Sequence, residues 1–453
     1  MKRSTLARRA VAVAGVSVLA LTGCGGGSDD AAEPAENAGG STSGGGAAAS
    51  PSSTATAGVA DCEPETPPEA TGDGVLTIGS VLPQTGNLAQ LGPPEFAGIE
   101  VAVAEINENG GYNGQDVAYI EGDSGDAQTD IASQTASRLI SGGADAIIGA
   151  ASSGVSFTIL DQITGAGVLQ LSPANTSPDL TCAEDSGLFF RTAPSDVLQG
   201  RVMGELLLED GFVDVATMAI DDAYGTGLAA NVEATLADGG GGFAGDGAIF
   251  YNPAAPNFSA EVSQLAESEP EAILLIGFDE SQRIIPELIA QGIGPNDVPL
   301  YLVDGNILDY GSGGLPEGAM VGAKATLPGS AATGDFAERL AVQDPSLGTN
   351  TSYAGESYDG VILSALAAAA AGDDSGASIA SQMVAVSRDG TKCSTYAECL
   401  SLIQSGEDVD YDGVSGPVEF SDLGDPTQAS VGIYEYGQDN NYTNLDFIQG
   451  SLD

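Results

Sequence analysis

Two short turns carry the groups best suited to gripping a small charged molecule. Ala151-Ser152-Ser153-Gly154 and Pro173-Ala174-Asn175-Thr176-Ser177-Pro178 each place hydroxyls and free backbone N–H groups where a helix is expected to begin. Partial positive charge collects at such an end, so it can hold a carboxylate without lysine or arginine. The same side chains would serve equally if they only capped their own helices. Asp304, at the end of the apolar run Leu302-Val303-Asp304-Gly305, has the charge to pair an ammonium, or the shape to make a turn before Gly. Tyr224 in Asp221-Asp222-Ala223-Tyr224-Gly225 and Phe278 before Asp279 offer aromatic faces that either wall an apolar pocket or fill a core.

Covalent and acid–base chemistry has little to work with. The 453-residue chain has no histidine, which removes Ser-His-Asp and Cys-His catalysis and the commonest transition-metal ligand. No Gly-x-Ser-x-Gly elbow or P-loop is present. Asp221 and Asp222 share one turn, a poor arrangement for flanking a glycosidic bond. No catalytic residue, no enzyme activity and no cofactor are expected. Asp408-x-Asp410-x-Asp412-Gly413-x5-Glu419 satisfies a calcium-loop pattern. Such matches arise easily among 64 acids, no helix is expected after Glu419, and Pro417 with Phe420 reads as a crossing strand. No metal is therefore expected. With 64 Asp and Glu against 12 Lys and Arg, the net charge is −52, which repels phosphate backbones and disfavours nucleic acid as a partner. An apolar content of 42% suffices for a packed core, so the acidity belongs to the surface.

The elements that must position these turns repeat one phrase: apolar run, turn, helix-period stretch. Strands are predicted at 75–82, 116–121, 146–150, 168–172, 215–220, 248–251, 272–278 and 300–303. Helices are predicted at 95–107, 127–141, 155–163, 227–237, 259–267, 282–291 and 358–371, with a short one after Pro178. This alternation predicts an α/β fold of parallel sheets covered on both faces. About eight units exceed one open sheet, so two doubly wound lobes are expected. In such sheets a ligand lies beyond the carboxyl ends of the strands, where the turns above fall.

The N-terminus reads as an export signal: four basic side chains within residues 1–9, then a 12-residue apolar run over 10–21, too short to span a bilayer. Leu21-Thr22-Gly23-Cys24 resembles the lipobox of bacterial lipoproteins, which implies cleavage after residue 23 and lipidation of Cys24. Residues 24–74 are mostly Gly, Ser, Ala, Pro, Thr and acid with hardly any large apolar side chain, a composition that cannot offset its ordering entropy and reads as a disordered tether. Four cysteines remain, Cys62, Cys182, Cys393 and Cys399, and an even count in an exported chain favours disulfides. Three pairings are open. Nearness favours Cys393 with Cys399, and Cys62 with Cys182 follows by elimination.

A longer series of motifs arrives in order. It runs through Ile78-Gly79-Ser80-Val81-Leu82-Pro83-Gln84-Thr85-Gly86, Gln90-Leu91-Gly92, Glu105-Ile106-Asn107, Ala146-Ile147-Ile148-Gly149 and Leu171-Ser172-Pro173-Ala174-Asn175-Thr176. It continues with Phe190-Arg191-Thr192-Ala193-Pro194-Ser195-Asp196, Tyr224-Gly225, Ser357-Tyr358-Asp359 and Asp412-Gly413-Val414-Ser415-Gly416-Pro417-Val418-Glu419-Phe420. Together these resemble the branched-chain amino-acid (Leu/Ile/Val) binding proteins, the type I periplasmic-binding-protein fold of ABC importers. The resemblance implies two lobes joined by three crossings near 192–195, 325–328 and 413–418. Lobe one would be 75–194 with 327–414, and lobe two 195–326 with 415–453. It implies a monomer, lipid-anchored on the extracytoplasmic face of a bacterial cell membrane, that captures an amino acid between its lobes and hands it to a permease. By position, Ser153 and Thr176 would bind the ligand α-carboxylate, with Ser152 and Asn175 in the same turns, and Ala174 would offer its carbonyl to the ammonium. Asp304 would be the ammonium counter-ion, where the family often has Glu, and Tyr224 would close from the second lobe. Leu91 stands where the family often has an aromatic lining the side-chain pocket, with Phe278 as a replacement wall. A short amide or urea bound by the same fold, or a surface sensor, is the alternative.

Overall fold

The computed structural model describes residues 62–452. The signal segment 1–23, the lipidation site Cys24 and the tether up to residue 61 lie outside the described residues. From Cys62 onward the segment lies on the body. Cys62 is bonded to Cys182, the Glu65 carboxylate accepts from the Ser186 N–H, and the Gly72 N–H donates to Asp373 at 3.1 Å.

Five parallel strands form the first sheet, in the order Ala118–Ile120, Thr77–Val81, Ala146–Gly149, Leu169–Ser172, Phe189–Arg191. Ile78 lies opposite Ala146, and Ile148 opposite Leu171. Adjacent residues of one strand feed opposite faces, the period of two that a strand imposes. Ile148 packs with Ile99, Ala102 and Ile362 from helices Gly92–Glu108 and Ala354–Ala371. Its neighbour Ile147 packs with Ala136, Leu139 and Ile159 from Ile131–Ser141 and Ser153–Thr164. Every residue of Thr77–Val81 and Ala146–Gly149 is buried, as a sheet covered on both sides requires.

The second sheet runs Tyr442–Ser451, Gln428–Tyr436, Lys324–Pro328, Leu300–Leu302, Ala272–Ile276, Asp214–Ile220, with Gly242–Phe243 and Ile249–Tyr251 both beside the last. The strand–helix alternation predicted parallel pairing throughout. Instead the first two of these strands form an antiparallel hairpin, with Val431 opposite Pro328 and Ile448. No helix separates them, and so short a link only permits antiparallel return.

Helix Asp196–Glu209 also lies outside the predicted elements, because Gly200 and Gly204 weaken its helical pattern. The structure gives the reason for both glycines. A Cβ on Gly200 would stand 2.5 Å from the Asn231 Cβ, and one on Gly204 2.6 Å from the Thr235 Cβ. The helix lies that close to Ala223–Asp238.

The chain passes between the sheets three times: after Arg191, after Pro328, and between Val409–Tyr411 and Gln428–Tyr436. All three passages touch the first two turns of Ala354–Ala371. The Thr192 hydroxyl donates to the Glu356 carbonyl at 2.9 Å. Gly329, at φ +89°, leaves no room for a Cβ beside the Glu356 carboxyl. The Asp359 carboxylate accepts from the N–H groups of Val414 and Ser415 at 3.0 and 2.8 Å and from the Tyr411 hydroxyl at 2.7 Å. Among the described residues no helix is long and apolar enough to cross a membrane.

Candidate functional site

The carboxyl ends of both sheets meet at one small cavity. Strand Ala146–Gly149 delivers Ala151, Ser152 and Ser153, strand Leu169–Ser172 delivers Ala174, and the segment before Gly92–Glu108 delivers Leu88 and Leu91. The second sheet contributes Tyr224, Phe278, Asp304 and Gly305. Seven predicted site residues therefore line it: Leu91, Ser152, Ser153, Ala174, Tyr224, Phe278 and Asp304. Asn175 and Thr176 sit behind the lining, both buried.

The two serines divide the work. The Ser152 hydroxyl accepts from the Val155 N–H at 3.3 Å and caps the twelve-residue helix Ser153–Thr164. The Ser153 hydroxyl accepts from the N–H groups of Thr176 and Ser177 at 3.4 and 3.3 Å and ties the two turns together. Asn175 donates to the carbonyls of Ala150 and Ala151 at 3.0 and 2.8 Å, fixing the same junction. The second turn was expected to open a helix. It opens only the single 3₁₀ turn Pro178–Leu180, too short to build up a dipole, so its capacity for an anion rests on individual N–H groups.

Across the cavity, Asp304 is held by donors from three elements. Its Oδ1 accepts from the Tyr224 hydroxyl at 2.7 Å and the Gln199 amide at 3.0 Å, and its Oδ2 from the Tyr353 hydroxyl at 2.8 Å. Burial pushes the carboxyl upward, and these three hydrogen bonds pull it back. Asn306 holds the turn, accepting from the Val303 N–H at 2.8 Å and donating to the Leu275 carbonyl at 2.9 Å. Tyr224 and Phe278 stack with centroids 5.5 Å apart and planes 12° from parallel, a flat wall for an apolar group. Asp222 caps the helix that carries Tyr224, accepting from the Gly225 N–H at 2.8 Å, and burial pushes it up to about 6.

The halves are closed on each other. Besides Tyr353 to Asp304, the Ser177 hydroxyl donates to the Ala223 carbonyl at 2.9 Å, the Gln90 amide to the Gly305 carbonyl at 3.2 Å, and the Asp279 N–H to the Asn87 carbonyl at 3.2 Å. The cavity measures about 10 Å³, space for about one water. Anything the size of an amino acid needs the halves to part or the walls to shift.

Tyr353 and Gln199 escaped the sequence reading, and Asp196 entered it only as the end of a motif, with no role at the site. Tyr353 precedes Ala354–Ala371 in the left-handed region, at φ 58°, four residues ahead of the motif Ser357-Tyr358-Asp359. Gln199 and Asp196 belong to the unexpected helix. The N-cap pattern Ser195-Asp196 was the signal that could have exposed them.

The calcium-loop acids converge on an ammonium of the chain itself. Lys392 Nζ lies 3.0 Å from Asp410 Oδ2, 2.9 Å from Asp412 Oδ1 and 3.4 Å from Glu419 Oε1. A tethered cation thus stands where a metal would, next to the Cys393–Cys399 disulfide. Parent protein stripped with chelator is expected to melt at the same temperature with and without millimolar calcium. Lys392→Met, which leaves three carboxylates facing one another, is expected to be raised by calcium. A calcium-dependent melt of the parent would reverse this reading.

The family model described as periplasmic binding protein matches residues 75–430. The chain is similar to the chemotactic signal transduction system substrate-binding protein BasB of Halobacterium salinarum, 27% identical over 361 residues, covering 76% of this chain and 83% of that one. It is similar also to Leu/Ile/Val-binding protein homolog 3 of Brucella melitensis, 31% identical over 209 residues, covering 45% of this chain and 54% of that protein. Among solved structures, the leucine binding protein LivK of Thermotoga maritima superposes with a TM-score of 0.68 at 22% identity, covering 83% of this chain and 99% of that one.

Proposed function

Because this chain belongs to the periplasmic binding protein family, a family of solute binders and not of enzymes, we propose that it captures a branched-chain L-amino acid between its two sheets. It then presents the closed form to the permease of an ABC importer, from the outer face of a bacterial membrane where a lipid on Cys24 holds it. The ligand carboxylate meets the amides and hydroxyls of the Ser152–Ser153 and Ala174–Ser177 turns. Its ammonium meets Asp304, and its side chain lies against Leu88, Leu91 and the Tyr224–Phe278 stack. The observation that carries this reading is the lining itself: one carboxylate, helix-start donors and an apolar wall, with no basic side chain. A zwitterion satisfies both ends, and a carboxylate lacking an ammonium leaves Asp304 repelling it.

Closure is driven only by contacts the ligand makes in the closed state. Mass spectrometry of small molecules released on denaturing gently purified protein, followed by calorimetry with L-leucine, D-leucine, urea and benzoate, tests the assignment. L-leucine is expected to bind at least tenfold tighter than any of the others. Tighter binding of benzoate or urea would replace the zwitterion with another solute. Similarity to a chemotactic substrate-binding protein favours, as a second reading, a closed form that also addresses a membrane receptor.

A further inference from the structure

Behind Asp304 lies a second acid. Asp196, the first residue of its helix, is fully buried, and neither of its carboxyl oxygens has a hydrogen-bond partner. Its backbone N–H donates to the Thr176 carbonyl at 2.7 Å, which sets it beside the second of the Ser/Thr turns. Gln199, one turn on, spends its amide hydrogens on Asp304 and on Thr326 at 3.1 Å. Its own Oε1 is unpartnered, as is the Thr176 hydroxyl. The charged and titratable groups facing Asp196 are Asp304, Asp222 and Tyr224 from the second half, Arg191 from the first, and Tyr353 beyond Asp304. Arg191 is the only basic one, and it is committed to Asp425 at 2.6 Å.

A buried carboxylate that meets no donor and has another carboxylate near it keeps a proton. The geometry points to Asp196 and Asp304 acting as a carboxyl pair that holds one proton in the ligand-free cleft and exchanges it for the ligand's ammonium. This rests on the amino-acid reading above. When the ammonium arrives, the O–H bond of the acid breaks and its proton leaves to solvent. The pair goes from one negative charge to two, and the ammonium restores the balance. Burial and then the charge of Asp304 raise Asp196, while the Thr176 hydroxyl, close without completing a hydrogen bond, and Arg191 oppose them.

Calorimetry of L-leucine binding in buffers of different ionisation enthalpy reads the exchange. Close to one proton is expected to leave per leucine bound, with affinity rising about tenfold per pH unit while the pair is protonated. Asp196→Asn is expected to bind leucine with that release lost and the pH slope flattened. Leucine binding by the parent without proton release overturns the exchange and leaves the amino-acid reading standing. Absence of leucine binding overturns that reading, and a ligand-free measurement then decides the pair. An acid whose folded pKa is raised costs stability once pH exceeds its unfolded value, about 4. The melting temperature of the parent is therefore expected to fall relative to Asp196→Asn as pH rises from 4 to 8. Parallel curves overturn the proposal.

Discussion

Asp304→Asn is expected to weaken L-leucine binding by roughly thirtyfold or more while leaving the fold at least as stable as the parent's. Removing one member of a desolvated charge pair costs about 2–5 kcal/mol, and each 1.4 kcal/mol is about a factor of ten. The substitution keeps the shape and removes the charge. The Tyr224 and Tyr353 hydroxyls can rotate, and the Gln199 amide can turn over, so an asparagine still finds partners among the three groups that hold Asp304. Stability should move the other way from affinity. Burial raises the Asp304 carboxyl, so in the parent its ionisation subtracts stability as pH climbs above the carboxylate range, a loss the asparagine does not suffer. Calorimetry and a thermal melt at pH 7 give the two numbers. Leucine affinity within threefold of the parent would remove Asp304 from the site.

This division between binding and stability explains why some of the site was legible in the chain and some was not. Ser152, Ala174, Tyr224, Phe278 and Asp304 all follow strands, and the carboxyl end of a parallel strand is a local feature that hydrophobic runs and turn residues mark. The α/β architecture was legible for the same reason, and the family resemblance added Leu91, which no local pattern selects. Tyr353 reaches Asp304 from 49 residues away, and its left-handed backbone breaks the helical pattern just where the helix starts. Asp196 and Gln199 sit on a helix whose glycines serve its packing against Ala223–Asp238, and so dilute the signal that would reveal it. The hairpin Gln428–Tyr436 with Tyr442–Ser451 is fixed by its edge position in the sheet. Lys392 among Asp410, Asp412 and Glu419 is a contact between segments that no spacing rule brings together. Apart from that hairpin, whose strands are joined by a short link, what stayed hidden is contact across distant sequence.

Arg191→Met is expected to destabilise the protein by about 3–5 kcal/mol, the cost of stranding a buried charge and its partners. The guanidinium is fully buried, and Asp425 is 11% exposed at its side chain. Its Nε and one terminal nitrogen grip Asp425 at 2.6 and 2.9 Å, and the same terminal nitrogen reaches the Thr181 hydroxyl at 2.9 Å. The other donates to the Ser177 carbonyl at 2.8 Å. Arg191 thereby turns the carbonyl side of the Asn175–Ser177 turn away from the cleft, which leaves the N–H groups of Thr176 and Ser177 facing Ser153. It ties that turn to Asp425 in the third passage between the sheets and to Thr181, one residue before the disulfide-bonded Cys182. Pairing Arg191→Met with Asp425→Leu removes the stranded carboxylate, so the double variant should regain most of the lost stability. It should not regain the affinity, because nothing then holds the Ser177 carbonyl back and the amide edge loses its aim. Urea denaturation midpoints and leucine calorimetry on the parent, both single variants and the double separate the two effects. If affinity returns together with stability, the arginine serves the fold alone and the orientation of the turn comes from Ser153 and Asn175.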